Sequence, residues 1–167
     1  MIIREKIGNL QRVDATGYVV DKLPLEWYET SKRILHKQTV MGRNVVLKFL
    51  KEAPGMQQDD IIFKDENNLI VIDILPCEVI VVQPATMYEM AVACYEIGNK
   101  HLPLFYEGDA ILIPYEAPLL KMLQACGFKI STEHRQLLHP LKTSVSPHAH
   151  GNSSLFSKIL QLTSNGS

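Results

Sequence analysis

Hydrophobic positions along this chain change their spacing near residue 75, and the change divides the sequence in two. Before it, apolar residues alternate with polar ones, as at Leu23, Leu25 and Trp27, or come in short runs such as Val45 to Leu50 and Leu69 to Ile74. Both patterns are strand signals. Turn chemistry separates the runs. Met41-Gly42-Arg43-Asn44 predicts a hairpin between strands over 32–39 and 45–50, and Asp65-Glu66-Asn67-Asn68 predicts another between 61–64 and 69–74. Residues 1–75 therefore read as an all-β domain.

At Leu75-Pro76 the texture changes, because proline cannot donate to a strand ladder. A strand over 77–82 is followed by a helix. Thr86-Met87-Tyr88-Glu89 is a capping-box pattern, and the helix continues through Met90, Ala93, Cys94 and Ile97. Gly98-Asn99 is expected to end it with a left-handed cap. Next come a strand over 104–107, a Gly108-Asp109 turn, a strand over 110–114, a helix over 117–125 closed by Gly127, and a strand over 128–133. This β-α-β-β-α-β order predicts a ferredoxin-like domain over residues 76–135, and an α+β fold overall. Residues 136–167 are polar and proline-interrupted apart from an apolar cluster at Leu155, Phe156, Ile159, Leu160 and Leu162. They read as a flexible tail.

Composition narrows the function classes. The chain has 167 residues, 46% of them hydrophobic, and no apolar run near the roughly 18 residues needed to span a bilayer. Met1-Ile2-Ile3-Arg4-Glu5-Lys6 lacks the features of a secretory signal, so a cytoplasmic protein is expected. Seventeen basic and eighteen acidic residues are mixed along the chain, which argues against a phosphate-tracking face. The cysteines Cys77, Cys94 and Cys126 are widely spaced with no CxxC, so no thiolate zinc site is signalled. Phosphate-loop, nucleophile-elbow and HExxH motifs are missing too, which leaves the common nucleotide, hydrolase and zinc-protease readings without support.

What remains is histidine. His101 lies just past the end of the first helix, with Pro103 two residues on. Alone it reads as an ordinary surface histidine, and a single imidazole makes a poor metal site. His148 and His150 are two residues apart, so in an extended segment both rings point to the same side. If a two-fold axis brings two copies of His101 together and the tail folds over them, the combined imidazoles can fill a four- to six-coordinate site for nickel, zinc or copper without any thiolate. Among the other histidines, His36 falls in a predicted strand, while His134 and His139 flank the last one. Glu96 reads as a solvated helix charge and Cys94 as a packed, neutral thiol. Trp27 reads as core packing of the first domain.

The stretch Glu96-Ile97-Gly98-Asn99-Lys100-His101, preceded by Cys94-Tyr95 and followed by Leu102-Pro103-Leu104, resembles the urease accessory nickel metallochaperones of the UreE family. The order of β domain, ferredoxin-like domain and histidine-bearing tail fits as well. The resemblance implies a homodimer formed through the C-terminal domain, with His101 of each protomer on one Ni(II) ion and His148 or His150 adding ligands. It further implies an N-terminal domain similar to the peptide-binding domains of chaperones, in contact with the urease maturation complex and its accessory GTPase. Nickel would be cargo and no reaction would be catalysed. By the ligand series Zn(II) and Cu(II) compete. Two departures stand out. Some relatives carry a second histidine cluster where this chain has Tyr115-Glu116-Ala117, and others end in long histidine-rich tails where this chain has two histidines. Delivery rather than bulk storage is the role implied.

Two other classes compete. Ferredoxin-like domains also serve as RNA-binding or ribosome-associated modules, but the aromatic RNA-reading strand motif is missing and the net charge is −1. A small metal-dependent hydrolase would need a general base beside the metal, and only Glu96 is placed for that.

Overall fold

The computed structural model describes residues 1–50 and 55–141. Its first half is β throughout apart from two single 3-10 turns, with strands β1 (Ile2–Ile3), β2 (Gly8–Asn9), β3 (Val19–Leu25), β4 (Ile34–Gln38), β5 (Asn44–Lys48), β6 (Asp60–Lys64) and β7 (Asn68–Ile74). They form two sheets, in the orders β1-β5-β4 and β2-β6-β7-β3. Both predicted hairpins are present, since β4 pairs antiparallel with β5, and β6 with β7. Gly42 takes φ 84° at the first turn, a conformation that a side chain would strain. That turn is clamped from β3. Asp21, wholly buried, accepts the Met41 N–H at 3.0 Å, and Nε of Arg43 lies 3.6 Å from its other carboxylate oxygen.

The core of this half holds Leu23, Leu25, Val45, Leu47, Ile70, Ile72 and Ile74. Leu69 and Val71 pack on the other side of β7 against Ile61, Tyr18 and Val20. With both faces covered, β7 reads as a continuous apolar run. Trp27 begins a 3-10 turn, Trp27–Glu29, rather than extending a strand. In that turn the Glu29 carboxylate accepts the Glu26 N–H at 3.0 Å and lies 2.7 Å from Nζ of Lys37 on β4. Burial pushes the Glu29 carboxyl up, but Lys37, the Glu26 amide and Lys32 outweigh it and hold the group below its ordinary value. A carboxyl depressed in the fold stabilises at neutral pH, and that contribution is lost as pH falls through the carboxylate range. Glu29→Gln is therefore expected to cost about 1–3 kcal/mol at pH 7. In urea melts the gap between parent and variant should narrow toward pH 3.

After Leu75-Pro76 the order is β8 (Cys77–Val82), α1 (Met87–Asn99), β9 (Phe105–Glu107), β10 (Ala110–Pro114), α2 (Ala117–Ala125) and β11 (Ile130–Arg135). The sheet runs β11-β8-β10-β9 with every neighbouring pair antiparallel, the ferredoxin-like arrangement that the element order predicts. One face is covered by the helices, through Ala93, Ile97, Leu119 and Leu123 on Ile80, Val82, Ile111 and Ile113. On the other face Val79, Val81, Phe105 and Leu112 pack with Leu137 and with Trp27 of the first domain. The Trp27 ring meets Phe105 edge-on at 5.6 Å between centroids, so one indole ties the two halves together.

Three details differ from the expectation. The last strand begins at Ile130 rather than 128, because the Gly127 and Phe128 amides bond back to Gln124 and Leu123 and close α2 as a Schellman motif. It also runs on to Arg135, which pairs with Glu133 and Glu107. Finally, residues 136–141, assigned to the tail by composition, belong to the fold. Leu137 is buried, the Gln136 side chain donates to the Ile74 carbonyl at 2.6 Å, and the Leu141 N–H donates to the Leu104 carbonyl at 2.7 Å. Among the described residues no helix is long and apolar enough to cross a membrane.

Candidate metal centre

His101 is positioned by the way α1 ends. Thr86 caps the start of the helix by accepting the Glu89 N–H at 3.1 Å, while the Glu89 carboxylate accepts the Ala85 N–H at 2.7 Å, one residue before the cap. At the far end Gly98 and Asn99 remain helical, contrary to the expected left-handed cap there. Lys100 is the C-cap with helical dihedrals, and His101 itself takes the left-handed turn at φ 56°. Its N–H donates to the Gly98 carbonyl at 2.9 Å. Histidine is among the few residues besides glycine that enter this region. The chain then turns sharply, with Ile97 buried before His101 and Leu102 and Leu104 packed on the same core after it. The imidazole is thus presented to solvent from a backbone pinned on both sides.

Among the described residues no group of three or more His, Cys, Asp or Glu side chains gathers to hold a metal ion. His101 stands alone in that sense. His148 and His150 lie outside the described residues. Of the remaining histidines, His36 is exposed on β4, and His134 is exposed within β11 opposite Glu78. His139 stacks at a tilt on Tyr106, 5.7 Å between ring centroids. Cys94 is half-buried with Sγ 4.0 Å from Sδ of Met90, and burial pushes its thiol up, so it stays a neutral packing group. Cys77 is raised likewise by burial, and next by the Glu26 carboxylate. Glu96 is half-buried on α1.

Sequence reasoning passed over the outward face of α1. The inward residues Met90, Ala93, Cys94 and Ile97 pack on the sheet, but Met87, Tyr88 and Tyr95 project outward with 84%, 78% and 68% of their surface exposed. Tyr88, Ala91 and Tyr95 are spaced to share one stripe of the helix, and the stripe leads toward the end that carries His101. The available signal was a helix apolar on both sides, which a helix lying on one sheet does not need.

The comparisons with known proteins agree with this architecture. The model of the UreE urease accessory protein N-terminal domain matches residues 3–75, and that of the UreE urease accessory protein C-terminal domain matches residues 77–155. A urease accessory protein UreE of Flavobacterium johnsoniae is 44% identical over 97% of this chain and 99% of its own length. Those of Helicobacter pylori and Acetivibrio thermocellus are 37% and 33% identical, over 91% and 92% of this chain and 92% and 99% of their own lengths. With both domain models matched in order along nearly the whole chain, this protein belongs to the UreE urease accessory protein family, a family of accessory proteins and not of enzymes.

Proposed function

We propose that this chain is a nickel-binding metallochaperone that delivers Ni(II) to the urease maturation complex while the urease active site is assembled. The observation that carries this reading is the exposed His101 imidazole, held on a pinned left-handed turn at the end of a helix whose outward face is apolar. An apolar face of that kind is a surface for association. In a homodimer built on it around a two-fold axis, each His101 has a symmetry mate, and one ion takes both rings.

His148 and His150 complete the ligand set in this reading, and the position of Leu141 supports it. The backbone bond from Leu141 to Leu104 anchors the start of the tail three residues from His101 along the chain. From Leu141 to His148 is seven residues, which span up to about 24 Å when extended. All-imidazole coordination partly supplied by a tail suits a carrier, since it binds a borderline metal yet exchanges more readily than a closed thiolate cage. Zinc and copper compete by the ligand series, so selectivity rests with partners and supply. The N-terminal domain faces the maturation complex, whose accessory GTPase is the partner in transfer, and the setting is the cytoplasm.

The test is nickel stoichiometry read together with oligomer mass. One tight nickel per two chains is expected, on a dimer. One tight nickel on each of two separate monomers overturns the reading. Deleting residues 144–167 should weaken nickel about tenfold, by removing ligands held at high effective concentration, and leave the dimer mass per subunit pair intact. Only neutral imidazole ligates and protons compete with the metal for it, so affinity should also fall on acidification. Equal affinities by calorimetry at pH 8 and pH 5.5 would contradict imidazole ligation.

A further inference from the structure

Beside His101 lies a groove of about 300 Å³, formed by Lys100 and Leu102 after α1 and by Glu116, Pro118, Leu119 and Met122 at the start of α2. Its floor is apolar, with Leu119 buried and Leu102 and Met122 half-buried, and a charge stands at either side. The two residues of the loop that line it are the immediate neighbours of His101. The metal reading leaves one feature of the tail unused, the apolar cluster at Leu155, Phe156, Ile159, Leu160 and Leu162. Residues 155, 159 and 162 follow helical spacing, with 156 and 160 alongside, after Ser153 and Ser154 as capping residues. An apolar stripe of this spacing needs a surface to cover it.

We infer that the groove beside His101 is the docking site of this chain's own segment 153–162, which thereby sets His148 and His150 over the His101 imidazole. Leu141 is bonded to Leu104, two residues from Leu102 in the groove wall, so the tail starts next to the groove. Fourteen residues from Leu141 to Leu155 cover far more than that separation, while only five separate His150 from Leu155. Charge agrees as well. Residues 142–167 contain Lys142 and Lys158 and no Asp or Glu, and the groove offers Glu116, whose side chain makes no capping hydrogen bond to α2. Docking would hold the tail imidazoles at high effective concentration before the ion arrives. The consequence for nickel rests on the function proposed above, whereas the docking itself does not.

The experiment uses the full-length, metal-free protein with its methionine methyls labelled for NMR, comparing the parent with a Leu155→Asp, Ile159→Asp variant. Both substitutions lie outside the described residues, and unchanged circular dichroism checks that the fold is kept. The Met122 methyl signal is expected to move in the variant to its position in a protein lacking residues 144–167, and nickel affinity to fall about tenfold. His101→Gly is expected to abolish tight nickel binding and leave the Met122 signal where it was. A Met122 signal indifferent to the tail substitutions overturns the docking. So does a signal that moves only on dilution, which would place a second copy in the groove. If Met122 responds to the tail but the parent binds no nickel, the docking stands and the nickel reading fails.

Discussion

Replacing His101 with glycine is expected to remove tight nickel binding and to leave the fold about as stable as before. The two halves of that result have separate causes. Among the described residues no group of three or more ligating side chains backs up the imidazole, and a two-fold site loses both copies at once. Losing an outer-shell partner costs about 10–100-fold in affinity, so losing the ligand itself should exceed about 100-fold. The backbone argues the other way. His101 sits at φ 56°, where a side chain costs roughly 1 kcal/mol and glycine nothing, so glycine relieves the strain while adding freedom to the unfolded chain. These offset to within about 1 kcal/mol. His101→Ala keeps the strain and loses the ring, so it should match glycine in calorimetry but melt lower. A glycine variant that binds nickel within tenfold of the parent would remove His101 from the site.

Tyr88→Asp combined with Tyr95→Asp is expected to convert the proposed dimer to a monomer. Each tyrosine stands mostly exposed on the outward face of α1, so neither substitution disturbs the packing of Ala93 and Ile97 beneath, and circular dichroism should be unchanged. Across an association surface a buried tyrosine is a common anchor, worth about 2 kcal/mol when truncated. Because the axis repeats each position, the two substitutions place four carboxylates in one interface, and weakening by at least about a thousandfold follows. Sedimentation should then give the monomer mass at micromolar protein. Nickel should bind more weakly, since each site then lacks one of its two His101 rings. An unchanged dimer mass would move the interface to another surface, and with it the proposed meeting of the two rings.

Much of this architecture was legible beforehand for a local reason. The hairpins at Gly42 and Asp65, the cap at Thr86 and the Schellman close at Gly127 are each set by a few neighbouring residues, through dihedral preference and short-range hydrogen bonds. Where local signals were ambiguous, longer contacts chose between them. Gly98-Asn99 carries the usual signature of a helix end, yet the helix continues through it. The left-handed residue falls at His101, where the chain must turn for Leu102 and Leu104 to reach the core. Composition likewise marks 136–141 as tail, but Leu137 fills a space between the sheet and Trp27 that exists only once both domains are folded.

From the sequence alone came the order of the elements, the ferredoxin-like class and the three histidines of interest, because periodicity, turn residues and ligand chemistry are written in adjacent positions. Tertiary structure alone decided that His101 is the strained residue of its own loop, that the tail begins beside it, and that Met87, Tyr88 and Tyr95 are left uncovered. Those three outcomes depend on which surfaces meet across long separations in the chain, and a residue's neighbours in sequence carry no record of what finally packs against it.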